Sequence, residues 1–153
     1  MSFKDDDLCF AATRSPGYLI RRAAQLVVPH AEAVFKDQEL TLSQWIALKF
    51  MYQGVADTSV SLSHLLGHNS GATTRLIDQL EERGLLTRTR RTDDRRVVNI
   101  ELTKAGIAGV QKMTPKMSAL WKSLLADFTD GETAMLISLL ARLVDRLERT
   151  ETG

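Results

Sequence analysis

The sequence predicts a mainly α fold with one small β-hairpin, and three observations carry that reading. Apolar residues recur at helical spacing through most of the chain, an alternating pattern interrupts them between residues 85 and 102, and a charged, glycine-free link joins the two alternating runs. A short helix, a tight polar turn and a second helix stand directly before the alternation. The hairpin therefore sits as a wing on a helix-turn-helix, with further helices on either side.

Taken in order, Ser15-Pro16 supplies a capping side chain and then a proline suited to a first helical turn. Leu19, Ile20, Ala23, Leu26, Val27, Ala31, Val34 and Phe35 follow at helical spacing, and Pro29 within them predicts a kink or break near Val28. Thr41-Leu42-Ser43-Gln44 offers caps for a second helix that carries Trp45, Ile46, Leu48 and Met51 and ends near Gly54. Ser61 to Gly67 reads as a short third helix with Leu62, Leu65 and Leu66 inward. His68-Asn69-Ser70-Gly71 is a turn by composition, and the fourth helix beyond it buries Leu76, Ile77 and Leu80 and stops at Gly84.

Leu85 to Arg90 and Val97 to Leu102 read as strands, with Val98, Ile100 and Leu102 on one face. The link from Arg91 to Arg96 has no glycine, which disfavours a tight primed turn and predicts a longer loop. A fifth helix starts after Thr103, is disturbed near Pro115 and runs to about Phe128. A sixth starts at an Asp130 cap and carries Met135, Leu136, Leu139, Leu140, Leu143, Val144 and Leu147. That stripe is wider than a small domain needs for itself, and the first helix likewise lacks a local partner. The single chain, 1–153, thus divides into a winged helix-turn-helix module over 41–102 and flanking helices over 15–40 and 103–149. A two-fold homodimer is the economical cover for those helices.

The formal net charge is only +1, but six arginines (Arg83, Arg88, Arg90, Arg91, Arg95, Arg96) fall between residues 83 and 96 against Asp93 and Asp94. A basic patch on a globally neutral chain is the footprint expected of a DNA binder, while the bland reading is a solvated charged face. No run approaches the roughly 18 apolar residues of a spanning helix, so no membrane partner is expected. The start of the chain lacks a basic segment followed by an apolar run, and Cys9 is the one cysteine. A cytoplasmic home follows as the expectation.

Double-stranded DNA is the expected partner. The start of a recognition helix enters the major groove, and here Asn69, Ser70, Thr73, Thr74 and Arg75 fill that end. Arg75 can reach a guanine edge in bidentate fashion, and the threonines can meet phosphate or thymine methyls. The wing brings Arg90, Arg91, Arg95 and Arg96, with Asp94 among them. A carboxylate repels phosphate, so Asp94 makes sense there as the group that orients an arginine through a charge-assisted bond; otherwise the acids only fill a turn.

Leu65-Leu66-Gly67, Gly71 through Leu85, Asp94-Arg95-Arg96-Val97 and Leu102-Thr103-Lys104-Ala105-Gly106 together resemble the MarR family of bacterial and archaeal transcription regulators. The likeness covers about residues 15–147 and is most specific over 61–106. It implies a triangular homodimer built from the terminal helices, two winged modules reading a palindromic operator, and repression relieved by a small ligand, often an aromatic or phenolic acid. It also implies an Asp-x-Arg wing tip in which Asp94 orients Arg96 into the minor groove, with Arg95 the second choice.

Other candidates carry less. Cys9 invites a redox-sensor reading, but it precedes the first helix, and Asp5, Asp6 and Asp7 beside it would raise its pKa. His64 and His68 have metal-ligand spacing without a second cysteine or acid cluster close by, so no metal is expected, and His30 reads as exposed at a kink. Trp45, Tyr18 and Arg22 are candidate lining for a small-ligand pocket, with core packing an equal explanation for Trp45. No phosphate loop, activated nucleophile or zinc-deaminase motif is present, which points away from an enzyme and from a cofactor. The rival from another class is a winged-helix protein-interaction module that contacts no DNA. It would have no need of an arginine-rich wing.

Overall fold

Helices in this chain begin where a side chain can take over the orphan amides of a first turn. Ser15 Oγ accepts from the Tyr18 amide at 3.3 Å ahead of α1 (Pro16–Val34), with the proline at the first helical position. Thr41 and Gln44 form a capping box in front of α2 (Leu42–Tyr52), and Thr58 with Ser61 does the same for α3 (Ser59–Leu66). Asn69 Oδ1 takes the Ala72 amide at 2.8 Å and opens α4 (Ser70–Glu82). Strands β1 (Leu86–Arg90) and β2 (Val98–Leu102) follow, then α5 (Lys104–Leu124) and α6 (Asp130–Glu151). The computed structural model describes residues 13–90 and 98–151. Six helices and one two-stranded antiparallel sheet among the described residues realise the mainly α, winged helix-turn-helix class.

Several boundaries depart from expectation. The helix α1 runs unbroken through Pro29. A proline removes one intrahelical bond and costs about 3 kcal/mol, but Ala31, Glu32 and Ala33 beyond it favour helix, and the buried Ala31 and Phe35 hold the last turns in place. The helix α5 likewise passes through Pro115, and it ends at Leu124, where the chain tightens into a turn instead of continuing to Phe128. The cap of α6 is Thr129, not Asp130: Thr129 Oγ1 accepts from the Glu132 amide, and the Glu132 carboxylate takes the Thr129 amide at 2.8 Å. The third helix starts two residues early at Ser59, and Leu65 on it is exposed, while Leu62 is fully buried.

The chain divides into two compact units between Met117 and Ser118. The core of the first is closed by Leu48, Leu62, Ile77, Leu80, Leu86 and Val110, each almost without solvent contact. Leu86 pairs with Leu102 and Arg90 with Val98 across the hairpin, and Ile100 points into the core. At the Arg88–Ile100 pair both amides point out of the sheet. Ile100 donates to the Asp57 carbonyl at 2.9 Å, and the Arg88 amide donates to Glu81 Oε1 at 3.0 Å. A single bridge between Thr58 and Asn99 adds the entry of α3 to the β2 side.

The hairpin returns to the end of α4. Gly84, at φ +66°, stops that helix, and Thr103 ties its carbonyl by a 2.6 Å hydroxyl bond while donating its own amide to the Leu85 carbonyl at 3.1 Å. Thr103 Oγ1 also accepts from the Gly106 amide and so caps α5. The first turn of α5 passes so close to the Leu85 carbonyl that a Cβ on Gly106 would overlap its oxygen. The Leu102-Thr103-Lys104-Ala105-Gly106 run is thus the joint between hairpin and helix.

The second unit, from Ser118, holds the last turns of α5 and all of α6. Here no described residue of α6 is buried within one chain. Met135, Leu136, Leu139, Leu140, Leu143, Val144 and Leu147 are all exposed, and Trp121 and Phe128 are about half so.

Candidate DNA interface

A sharp turn separates α3 from α4, and its geometry sets how α4 is presented. Gly67 adopts the left-handed conformation at φ +62°, donating to the His64 carbonyl, while His68 donates to that of Ser63. The turn is Gly67-His68-Asn69. Ser70 and Gly71, expected in it, are already helical. Asn69 is therefore a cap before it is anything else, and the first-turn amides of Ser70 and Gly71 face out of the helix end, with no acid in that turn to oppose an anion.

Burial sorts the side chains of α4 into two faces. Leu76, Ile77 and Leu80 pack inward, and so does Thr73, which is 1% exposed and bonds its hydroxyl to the Asn69 carbonyl at 3.2 Å. Thr73 is consequently part of the helix-turn-helix core and cannot meet a base or phosphate. The expectation fails because helical periodicity, three residues before Leu76 and four before Ile77, outweighs the residue's polarity. Ser70, Thr74 and Arg75 are exposed as expected, though the Thr74 hydroxyl is engaged with the Ser70 carbonyl at 2.8 Å. Gln79, one turn beyond Arg75, is exposed beside it and is not among the residues expected from the sequence. Its signal was available: Gly71, Arg75 and Gln79 are spaced by four, the rule that places side chains on one face.

Two of the six arginines in the basic run are structural. Arg83 donates Nη1 to Gln44 Oε1 at 2.9 Å and Nη2 to the Glu39 carbonyl at 2.6 Å, tying the end of α4 to the start of α2. Arg88 pairs Nη2 with Asp78 Oδ1 and lies with Nε 3.3 Å from Glu81 Oε2, without hydrogen-bond alignment at that atom. Arg90 closes β1 opposite Val98. Arg91, Asp94, Arg95 and Arg96 lie outside the described residues, as does Cys9.

The pocket residues do not come together in one chain. Trp45 packs its ring 5.7 Å from that of Phe35 and donates Nε1 to the Val110 carbonyl at 3.4 Å, so it belongs to the packing between α1, α2 and α5. Tyr18 lies 17 positions before Phe35, the C-cap of its helix, about 25 Å along the axis at about 1.5 Å per residue, and Arg22 about 20 Å. His30, exposed on an unbroken helix, holds the Leu26 carbonyl at 2.8 Å through Nδ1. Among the described residues no helix is long and apolar enough to cross a membrane.

A family model described as the MarR family matches residues 40–98, from the end of the α1–α2 link to the first residue of β2. Solved structures extend the likeness beyond that module. Wild-type MarR from E. coli, without ligand, is 26% identical over 84% of this chain and 95% of its own, with a TM-score of 0.71. BpsR of Bordetella bronchiseptica, whose structure concerns regulation of its DNA binding by 6-hydroxynicotinic acid, is 26% identical over 89% and 97%, with a TM-score of 0.78. A cysteine-to-serine mutant of E. coli MarR in complex with operator DNA, at 24% identity over 92% and 99% and a TM-score of 0.73, shares the fold.

Proposed function

We propose that the chain is a DNA-binding transcription regulator of the MarR family, whose model it matches over residues 40–98, and that it reads a two-fold operator as a homodimer and releases it when a small aromatic acid binds. The observation that carries the reading is the outward face of α4, where Ser70, Arg75 and Gln79 stand exposed behind an Asn69-capped, acid-free first turn. That is the end of a recognition helix that enters a major groove. Base preference is assigned to Ser70, Arg75 and Gln79, with Asn69 and Thr74 holding the helix start that meets phosphate. The wing, with Arg90, Arg91, Arg95 and Arg96, adds affinity and reading of groove shape, Asp94 aiming Arg96.

In this reading residues 41–102 are the DNA-binding module, and 15–40 and 103–149 the dimerisation helices. The exposed apolar face of α6 supports the second assignment, since a monomer rarely leaves so much apolar surface in water. A cytoplasmic regulator without catalytic activity fits all of this. The aromatic-acid effector rests on BpsR and its 6-hydroxynicotinic acid.

The test is fluorescence anisotropy against DNA flanking the protein's own gene, at low and moderate salt. Arg75→Ala is expected to cost about 1–3 kcal/mol and to relax base preference, and Arg96→Ala to weaken all sequences and lower the salt slope by about one. Adding 6-hydroxynicotinic acid and related aromatic acids to the complex tests release. A flat titration with the wild-type dimer would move the function to a protein-interaction module.

A further inference from the structure

The acids on α4 pose a question that DNA binding alone does not answer. Asp78 and Glu81 lie on the helix assigned to the groove, one turn apart, and each keeps over 40% of its side chain exposed. Carboxylates there repel phosphate, and a helix selected only for affinity would lose them. Both instead converge on one residue of the wing. Glu81 Oε1 takes the Arg88 amide at 3.0 Å, Glu81 Oε2 lies 3.3 Å from Arg88 Nε, and Asp78 Oδ1 pairs with Arg88 Nη2. The amide and Nη2 of a single β1 residue are thus hydrogen-bonded from the helix side, away from β2, with Nε within ion-pair distance of the second carboxylate.

We propose that Arg88 is a positioning residue for DNA binding: with Asp78 and Glu81 it latches the first strand of the wing to the recognition helix, so that helix and wing meet the duplex as one rigid piece. The inference rests on the DNA-binding reading, and it assigns Arg88 no contact with DNA. Its guanidinium is turned toward the carboxylates, and the side chain is 28% exposed. The chemistry suits an arginine, whose fork can serve two carboxylates at once, whereas a lysine offers one point charge. Asp78 also stands three positions after Arg75, beside the exposed stripe that Arg75 and Gln79 occupy, so any slip of β1 along α4 would move the wing relative to those readers.

The sign of one substitution separates this latch from simple electrostatics. Asp78→Asn removes a negative charge from the helix assigned to the groove, and charge alone would then tighten binding. The latch instead requires Asp78→Asn to weaken binding about three- to fivefold, and Arg88→Met to do the same or more. In a double-mutant cycle, the Arg88→Met loss should be smaller in an Arg96→Ala background than in wild type, because the latch acts through the wing. Hydrogen exchange without DNA supplies an independent reading: residues 86–90 should exchange faster in Arg88→Met, while the α2 and α5 amides and the dimer stay as in wild type. Tighter or unchanged binding by Asp78→Asn, additive losses in the cycle, or unaltered exchange in β1 would each overturn the latch. Wild-type protein that binds no DNA would end the functional reading itself, and the exchange result would still decide whether β1 is held.

Discussion

A methyl group at position 106 would overlap the Leu85 carbonyl oxygen, a backbone atom already held by the Thr103 amide and unable to yield. Gly106→Ala is therefore expected to cost about 1–3 kcal/mol, read as a lower midpoint in urea unfolding with an unchanged slope. Thr73 makes the opposite case, a polar side chain whose place is inside. Thr73→Val keeps the volume and loses the bond to the Asn69 carbonyl, so it should lower stability by about 0.5–1.5 kcal/mol while the folded protein binds the same operator with the same base preference. A changed preference would return Thr73 to the interface. At this scale the sequence was partly legible. The exposure of Ser70 and Arg75 follows from residue type and position, whereas the uses of Thr73, Arg83 and Arg88 depend on partners 4 to 44 positions away. Composition counts six arginines alike, and only contacts reveal that Arg83 and Arg88 hold the fold.

The elements themselves were the most readable layer, because caps and periodicity are local. Ser15, Thr41 and Gly84 mark the helix ends they were expected to mark. The unbroken course of α1 and α5 has one cause: Pro29 and Pro115 read locally as breakers, but the helices around them outweigh one lost bond apiece. The reciprocal cap at α6 carries a pH dependence. The Thr129 amide first, then its hydroxyl, hold the Glu132 carboxyl below its ordinary value of 4.5, against a small opposing effect of desolvation. With the folded value below the unfolded one, this cap contributes above the unfolded pKa and fades as the pH falls through the folded one. Protection of the amides over residues 129–133, measured against the intrinsic exchange rate at each pH, should accordingly fall as the pH drops through the carboxylate range and hold steady above it. Glu132→Gln should remove most of that dependence.

For the whole molecule, surface left uncovered says more than surface buried. The apolar stripe from Met135 to Leu147 was visible in sequence as an excess, and in one chain it is exposed along its length. Leu140→Glu with Leu143→Glu is expected to yield a folded monomer in sedimentation analysis that has lost operator affinity by well over tenfold, since two half-sites no longer act together. A double variant that remains a dimer would place the interface elsewhere. What could not be read at this scale is where an effector sits. Tyr18, Arg22 and Trp45 are close in character but spread over α1 and α2, and which residues gather around a ligand depends on distances that spacing along the chain does not encode.

The hairpin has one more consequence. A two-stranded sheet has two open sides, and each is ordinarily a template on which a strand from another molecule can assemble. Here the outward amide of Arg88 is occupied by a glutamate and that of Ile100 by the Asp57 carbonyl, with Thr58 bridging Asn99 beyond it. An incoming strand would have to evict a helix side chain on one side and the entry of α3 on the other. Strand addition, one common route for peptides and for aggregation, is blocked at both positions.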